Sequence, residues 1–169
     1  CLCLTLFMFL ILFLYSFFAI FEAQSKIHHT LLQTSQSMSL DSFATERLKE
    51  NTASLFDVVA EVGFNASNKN PKYVSTDAWY KNKEKVADIA KERFVAYLTA
   101  GDQNQANQLL VRYKIKDGLS GLDFSASTIN ENGDIELKVK YTIQFLFDYK
   151  AFNLSSLQVT DSVTSRKWE

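Results

Sequence analysis

The feature that most constrains this chain is an uncharged run over residues 1–21. All 18 Lys and Arg residues and all 19 Asp and Glu residues follow it, from Glu22 onward. Fourteen of these 21 residues are Leu, Phe or Ile, and each favours insertion of a helix into a membrane by about 0.3 to 0.6 kcal/mol. A helix of this length measures about 32 Å, enough to cross a hydrocarbon core of about 30 Å. The sequence therefore predicts a transmembrane helix over residues 1–21.

A cleaved secretory signal peptide is the alternative interpretation of this run. The apolar region of a signal peptide is about 7 to 15 residues long and ends in a small-x-small cleavage site. Here the run is longer and continues into Phe21-Glu22-Ala23-Gln24 without such a site. We therefore expect a retained single-pass anchor. Because the first residue is Cys1 and not Met, we also expect the native N-terminus to lie upstream.

Residues 22–169 have the length expected of one domain. The formal net charge of −1 indicates no basic patch for nucleic acid. Both cysteines, Cys1 and Cys3, lie in the predicted span, which excludes a disulfide framework and a Cys-ligated zinc site in the domain. We expect this domain to lie in water outside the cytoplasm and to bind no cofactor.

Helical periodicity continues beyond the span, and no Gly or Pro interrupts it before Gly63. The residues that recur on one helical face are Ile27, Leu31, Thr34 and Met38. We predict an amphipathic helix over about residues 22–62, with a kink or turn at residues 39–42. A further helix is predicted over about residues 77–100, with Gly101 as its left-handed C-terminal residue.

In the last third of the chain the period of the apolar residues changes to two. The alternating apolar residues are Ile135, Leu137, Val139, Tyr141, Ile143 and Phe145. Asn132-Gly133 separates this run from the alternating stretch 122–128 and is a strong hairpin signal. With a third strand over 157–163, the pattern predicts an antiparallel sheet over about residues 119–168, covered on one face by the helices. The stretch 102–115 fits a helix and an edge strand equally well.

The predicted fold is thus α+β: a transmembrane helix that continues into an amphipathic helix and packs on a C-terminal antiparallel sheet. This is the outline of a pilin. Four segments carry a more specific likeness: 24–34 (QSKIHHTLLQT), 118–124 (GLSGLDF), 135–143 (IELKVKYTI) and 166–168 (RKW). In these segments the chain resembles the TadE-like pilus assembly proteins, in the forms typical of Gram-positive bacteria.

The resemblance implies a minor pseudopilin of a Tad (Flp) pilus or secretion system, inserted in the cell membrane with its sheet domain outside the cytoplasm. Its partners would be other pilin-like subunits or further copies of itself. The family's processing motif needs a glutamate a few residues into the mature helix; residues 1–21 have none, so we expect the motif to precede Cys1. The residues expected to form the assembly interface are Thr5 and Ser16 in the span and Ile27, Leu31 and Met38 beyond it.

The residues that could act in catalysis or bind a metal ion show no arrangement typical of a catalytic or metal site. The adjacent His28 and His29 point about 100° apart on a helix and cannot share a metal ion. The acidic pairs lie among turn-forming residues, so we expect them to be structural; these pairs are Asp41 with Glu46 and Glu131 with Asp134. Because no nucleophile–base arrangement and no Gly-rich phosphate loop occur, we expect the protein not to be an enzyme and to take no small-molecule substrate.

A second function remains open: a membrane-anchored domain that binds a ligand or an envelope component. Such a domain needs a pocket or an exposed aromatic cluster. The aromatic candidates are Tyr73, Trp79 and Tyr80, near the central loop that contains Pro71.

Overall fold

The computed structural model describes residues 2–50, 82–130, 132–149 and 154–166. Its helices are α1 (Leu2–Glu50), α2 (Lys83–Thr99) and α3 (Gln103–Arg112), followed by a 3₁₀ turn at Gly118–Gly121. Its strands are β1 (Thr128–Ile129), β2 (Ile135–Tyr149) and β3 (Leu154–Ser165). A long N-terminal apolar helix followed by a small antiparallel sheet confirms the predicted α+β class.

Helix α1 runs without interruption for 49 residues. The turn predicted at residues 39–42 is wrong, because the serines there bond without breaking the helix. Ser39 Oγ donates to the carbonyl of Arg166 (2.6 Å), and Ser42 Oγ donates to the carbonyl of Ser39 (2.8 Å). The predicted continuation of the helix to residue 62 lies outside the described residues.

Helix α2 ends where the sequence predicted. Ala100 and Gly101 both have positive φ (54° and 90°), and the Gly101 amide donates to the carbonyl of Val95 (3.4 Å). Positive φ at these two residues is the left-handed backbone conformation that ends many helices. The predicted start of this helix near residue 77 lies outside the described residues.

The sheet has the order β1-β2-β3, and both neighbours of β2 are antiparallel to it. The hairpin predicted at Asn132-Gly133 is confirmed: Ile129 pairs with Ile135, and Gly133 has a φ of 83°. The third strand is also confirmed, with Val163 opposite Leu137. The strand predicted over 122–128 is mostly absent. Within that stretch the ladder includes only Thr128 and an isolated bridge between Asp123 and Lys140.

The ambiguous stretch 102–115 takes both structures in turn. Asp102 caps α3, accepting hydrogen bonds from the amides of Asn104 (2.9 Å) and Gln105 (3.0 Å). After α3 ends, Ile115 forms a bridge with Ile143 on the edge of β2 opposite β3. Residues 103–112 of this stretch therefore form a helix. Its last residue, Ile115, pairs with the edge of the sheet.

Helix α1 is central to the core, because it packs against α2, β2 and β3. The buried face of β2 is the alternating apolar set predicted from the sequence, from Ile135 to Ile143. On α1 the fully buried apolar residues are Ala23, Ile27, Leu31 and Met38, and on α2 they are Val86, Ala90 and Phe94. Each large apolar side chain buried here contributes about 1.5 to 3 kcal/mol to stability.

Candidate functional site

The N-terminal part of α1 is exposed along residues 3–15, which we call the apolar segment. Among the described residues one helix is long and apolar enough to cross a membrane, and it contains this segment. Its most apolar 18-residue window has a mean hydropathy of 2.5 and is only 11% buried. A core helix of a water-soluble domain would have most of that window covered. Large apolar side chains such as Leu4 (72% exposed) and Phe9 (66% exposed) are therefore not covered by the rest of the domain.

The domain begins to cover α1 at Ser16, inside the predicted span. Ser16 is 2% exposed, Ile20 is 7% exposed and Ala23 is fully buried. On the other side of the helix, at the same height, Phe18 and Phe21 are exposed. The stretch 16–23 therefore has one face against the domain and one face open.

The five predicted interface residues do not share one surface. Thr5 is exposed in the apolar segment, whereas the buried Ser16 donates its hydroxyl to the carbonyl of Leu12 (3.0 Å). Ile27, Leu31 and Met38 have no exposed surface. Their burial argues against a contact with another subunit through these three residues. The amphipathic pattern identified a buried face, but β2, β3 and α2 of the same chain cover it.

The opposite side of α1 is open and carries its own apolar residues. We call it the outer face; its residues recur every three or four positions and are Phe18, Phe21, Ser25, His29, Leu32, Gln36 and Leu40. Leu40 is 60% exposed and Leu32 is 37% exposed. The outer face therefore continues the apolar surface of the apolar segment along the domain. Sequence analysis missed it because Leu32 and Leu40 are single apolar residues among polar ones.

A hydrogen bond between His28 and Asp161 links α1 to β3. His28 Nδ1 lies 2.8 Å from Asp161 Oδ1, and the Asp161 side chain is only 11% exposed. The second oxygen of Asp161 and the hydroxyl of Tyr141 are buried and have no hydrogen-bond partner among the described residues. Burial raises the pKa of Tyr141 well above its ordinary value, and the negative charge of Asp161 adds to the shift. The sequence signal for this contact was an aspartate at an inward-facing position of β3.

A buried ion pair links α1 to α2. Arg93 pairs with Asp41, and the two side chains are 5% and 8% exposed. The Arg93 guanidinium also donates to the carbonyl (3.2 Å) and hydroxyl (3.1 Å) oxygens of Ser37. Asp41 thus has Arg93 as a structural partner. Among the described residues no group of three potential metal ligands occurs, and His29 is exposed.

A cavity of about 340 Å³ lies where α1 leaves the domain. It is lined by Tyr15, Ser16, Ala19, Ile20 and Glu22 of α1, by Leu109, Arg112, Tyr113 and Lys114 at the end of α3, and by Ile143 and Gln144 of β2. Arg112 and Lys114 are exposed and form no ion pair within the part of the chain that the structure describes. Glu22 is the single carboxylate in the lining.

The backbone that carries these cations is fixed on β2. The Gln144 amide donates to the carbonyl of Lys114 (2.8 Å), and the Lys116 amide donates to the carbonyl of Thr142 (2.8 Å). Lys114 has a φ of 61°, a conformation that costs a residue with a Cβ about 1 to 2 kcal/mol. The following 3₁₀ turn requires Gly121, because a Cβ there would lie 1.9 Å from the carbonyl oxygen of Lys116.

No protein-family model, curated protein or solved structure matches this chain. Function is therefore inferred from the geometry of α1 and of the cavity. The aromatic residues Tyr73, Trp79 and Tyr80, and the acidic Glu131, lie outside the described residues.

Proposed function

We propose that this protein is a single-pass membrane protein and a pseudopilin-like structural subunit of a Tad/Flp-type pilus or secretion assembly. One observation carries the proposal. A single uninterrupted helix is an exposed apolar rod over residues 3–15 and, from Ser16 to Ser42, the central element of the domain core. A long helix that is apolar at its start and packed in a domain further along is also the arrangement implied by the resemblance of the sequence to TadE-like proteins.

The packing of α1 supports a retained anchor rather than a cleaved signal peptide. Cleavage after Ala23 would remove Ser16, Ile20 and Ala23 from the domain, although all three are buried in it. It would also open the space between the end of α3 and β2. A removable leader has no reason to contribute to the core of the mature domain.

Assembly through α1 has a surface available to it. In lipid, helices associate by packing and polar contacts rather than by the hydrophobic effect. The apolar segment contains no Gly or Ala, so its large Leu and Phe side chains would make the contact, with the exposed Thr5 as a polar group. Beyond the membrane, Leu32 and Leu40 on the outer face would continue it.

In this proposal the protein acts by assembly and not by turnover. The two buried carboxylates that the structure describes on α1 and β3 are engaged in holding elements together: Asp41 binds Arg93, and Asp161 binds His28. Each carboxylate therefore has a structural role in the packing of α1.

Crosslinking in living cells tests the outer face. Cys1 and Cys3 are first replaced by serine, and one cysteine is then introduced by Leu40→Cys. We expect it to crosslink to the same protein or to another pilin-like protein, because Leu40 is 60% exposed. Met38→Cys is the matched control: it lies two residues away but is fully buried, and it should not crosslink.

Charged substitutions test whether that contact is needed. Leu32→Asp with Leu40→Asp should abolish surface filaments or secretion and leave the domain folded, since both side chains are exposed. Leu157→Asp, at an exposed leucine on β3 (43%), should leave assembly unchanged. Normal assembly of the double variant, together with no captured partner, would contradict the proposal.

The cavity favours a second function, in which the domain binds a ligand. Its volume of about 340 Å³ falls within the range of about 300 to 1,000 Å³ typical of small-molecule pockets. Under this alternative the protein would function as a monomer, and substitutions on the outer face would have no effect.

A further inference from the structure

The cavity lies at the height where α1 would meet the membrane surface. Its lining on α1 extends from Tyr15 to Glu22, about 10 Å along the helix axis. The apolar segment lies on one side of this stretch, and Glu22, at its other end, is the first charged residue of the chain. The headgroup layer is about 5 to 8 Å thick on each side of the hydrocarbon core. With the apolar segment in hydrocarbon, the cavity extends across the boundary between the hydrocarbon and the headgroup layer.

The residues on the two faces of α1 between Tyr15 and Glu22 support this placement of the cavity at the membrane surface. Phe17, Phe18 and Phe21 are exposed on the side away from the domain, where the hydrocarbon of the membrane would give them an apolar environment. On the cavity side, Tyr15 and Tyr113 combine an apolar ring with a hydroxyl. Such residues are enriched where hydrocarbon meets water.

The lining has the chemistry of a site for a phosphate group. Arg112 and Lys114 supply two cations that are not neutralised by an ion pair among the described residues. A guanidinium donates two parallel hydrogen bonds to phosphate oxygens, and an ammonium adds a point charge. The exposed Gln144 offers a further amide donor. The Ser16 hydroxyl is already used by the carbonyl of Leu12.

Glu22 limits which phosphate is preferred. With Arg112, Lys114 and Glu22 charged, the lining has a net charge of +1. A lining of this charge matches the single negative charge of a phosphodiester better than the larger charge of free inorganic phosphate. The diester phosphates at this height are those of membrane lipids.

We propose that this cavity binds the phosphodiester headgroup of an anionic membrane lipid. Bound there, the lipid bridges α1, the end of α3 and β2, and so fixes the tilt of the domain against the bilayer. The inference rests on the membrane anchor of the proposed function but not on assembly into a filament.

The test uses the full chain in neutral detergent micelles, with bound lipid counted by native mass spectrometry. Phosphatidylglycerol should bind in preference to phosphatidylcholine. The Arg112→Gln/Lys114→Gln double variant should lose about 10- to 30-fold in affinity for phosphatidylglycerol. Glu22→Gln should instead gain affinity, because it removes the only opposing charge in the lining.

A matched control separates this site from general attraction to a basic surface. Lys116→Gln/Lys140→Gln removes the same charge from two exposed lysines that do not line the cavity, and should change affinity less than about twofold. Equal loss in both double variants, no preference for phosphatidylglycerol, or displacement of the lipid by millimolar inorganic phosphate would overturn the proposal. Alkaline extraction of the same variants tests the anchor separately, so failure of the anchor and failure of the lipid site are distinguishable.

Discussion

Tyr141 shows how a single residue couples the stability of the domain to pH. Its ring is 2% exposed on the inner face of β2, and its hydroxyl has no hydrogen-bond partner. Loss of its proton would place a negative charge in the core near the carboxylate of Asp161. Desolvation, with a smaller contribution from that carboxylate, therefore raises the pKa of Tyr141 in the folded state above its ordinary value of 10.0.

This shift predicts a specific effect of Tyr141→Phe at alkaline pH. Above about pH 10 the unfolded chain loses the tyrosine proton and the folded chain keeps it, so the free energy of unfolding falls as pH rises. The variant lacks this loss. Relative to the original chain it should gain about 1 kcal/mol between pH 8 and pH 11. At neutral pH it should be no less stable, because the substitution removes a buried hydroxyl that has no hydrogen-bond partner among the described residues.

Urea unfolding in neutral detergent, followed by circular dichroism at both pH values, measures this difference. Tyr97→Phe, at a tyrosine that is 44% exposed, is the matched control and should parallel the original chain. Parallel curves for Tyr141→Phe as well would show that Tyr141 is not buried as described.

At the scale of elements, the buried pair of Arg93 and Asp41 joins α2 to α1. The pair stays satisfied because Ser37 accepts two more hydrogen bonds from the guanidinium. A buried pair of this kind adds little net stability over apolar residues, but loss of one partner leaves a buried charge without compensation.

Arg93→Leu should therefore lower the free energy of unfolding by about 3 to 5 kcal/mol, because Asp41 is left charged and buried. The double variant Arg93→Leu/Asp41→Leu should recover most of that loss. Urea unfolding of both variants measures these free energies of unfolding. A double variant that is less stable than the single variant would refute the assigned role of Asp41.

The sequence predicted those elements for which one face is buried and the turn chemistry is clear. The alternation from Ile135 to Phe145 and the Asn132-Gly133 turn determine the central hairpin. The stretch 122–127 also alternates, yet it forms only one bridge. Alternation describes side-chain environment and does not ensure a full ladder of hydrogen bonds.

The candidate interface was less predictable, for a physical reason. Helical periodicity identifies the face of α1 that is buried, at Ile27, Leu31 and Met38. It does not identify what buries that face, and the chain's own sheet and α2 do so. The cavity was missed because Arg112 and Lys114 approach Tyr15 only after α3 turns back onto β2, a contact between residues about 100 positions apart.

At the scale of the whole molecule, α1 joins the apolar segment and the domain in one continuous helix. The helix shows no break between residue 2 and residue 50, and the domain covers it from Ser16 onward. We infer that this continuity orients the domain on the membrane and aligns the outer face with neighbouring subunits.

Alkaline carbonate extraction of membranes tests the account's central claim, the anchor, most directly. The full chain should stay in the membrane pellet. Leu6→Arg/Leu10→Arg changes two side chains that are 64% and 50% exposed and that lie outside the cavity and the core. It costs about 5 to 7 kcal/mol of insertion free energy and should release the protein. Gln24→Arg/Gln36→Arg adds the same charge beyond the span, at exposed positions, and should stay in the pellet. Release of the original chain, or retention of the Leu6→Arg/Leu10→Arg variant, would contradict the anchor.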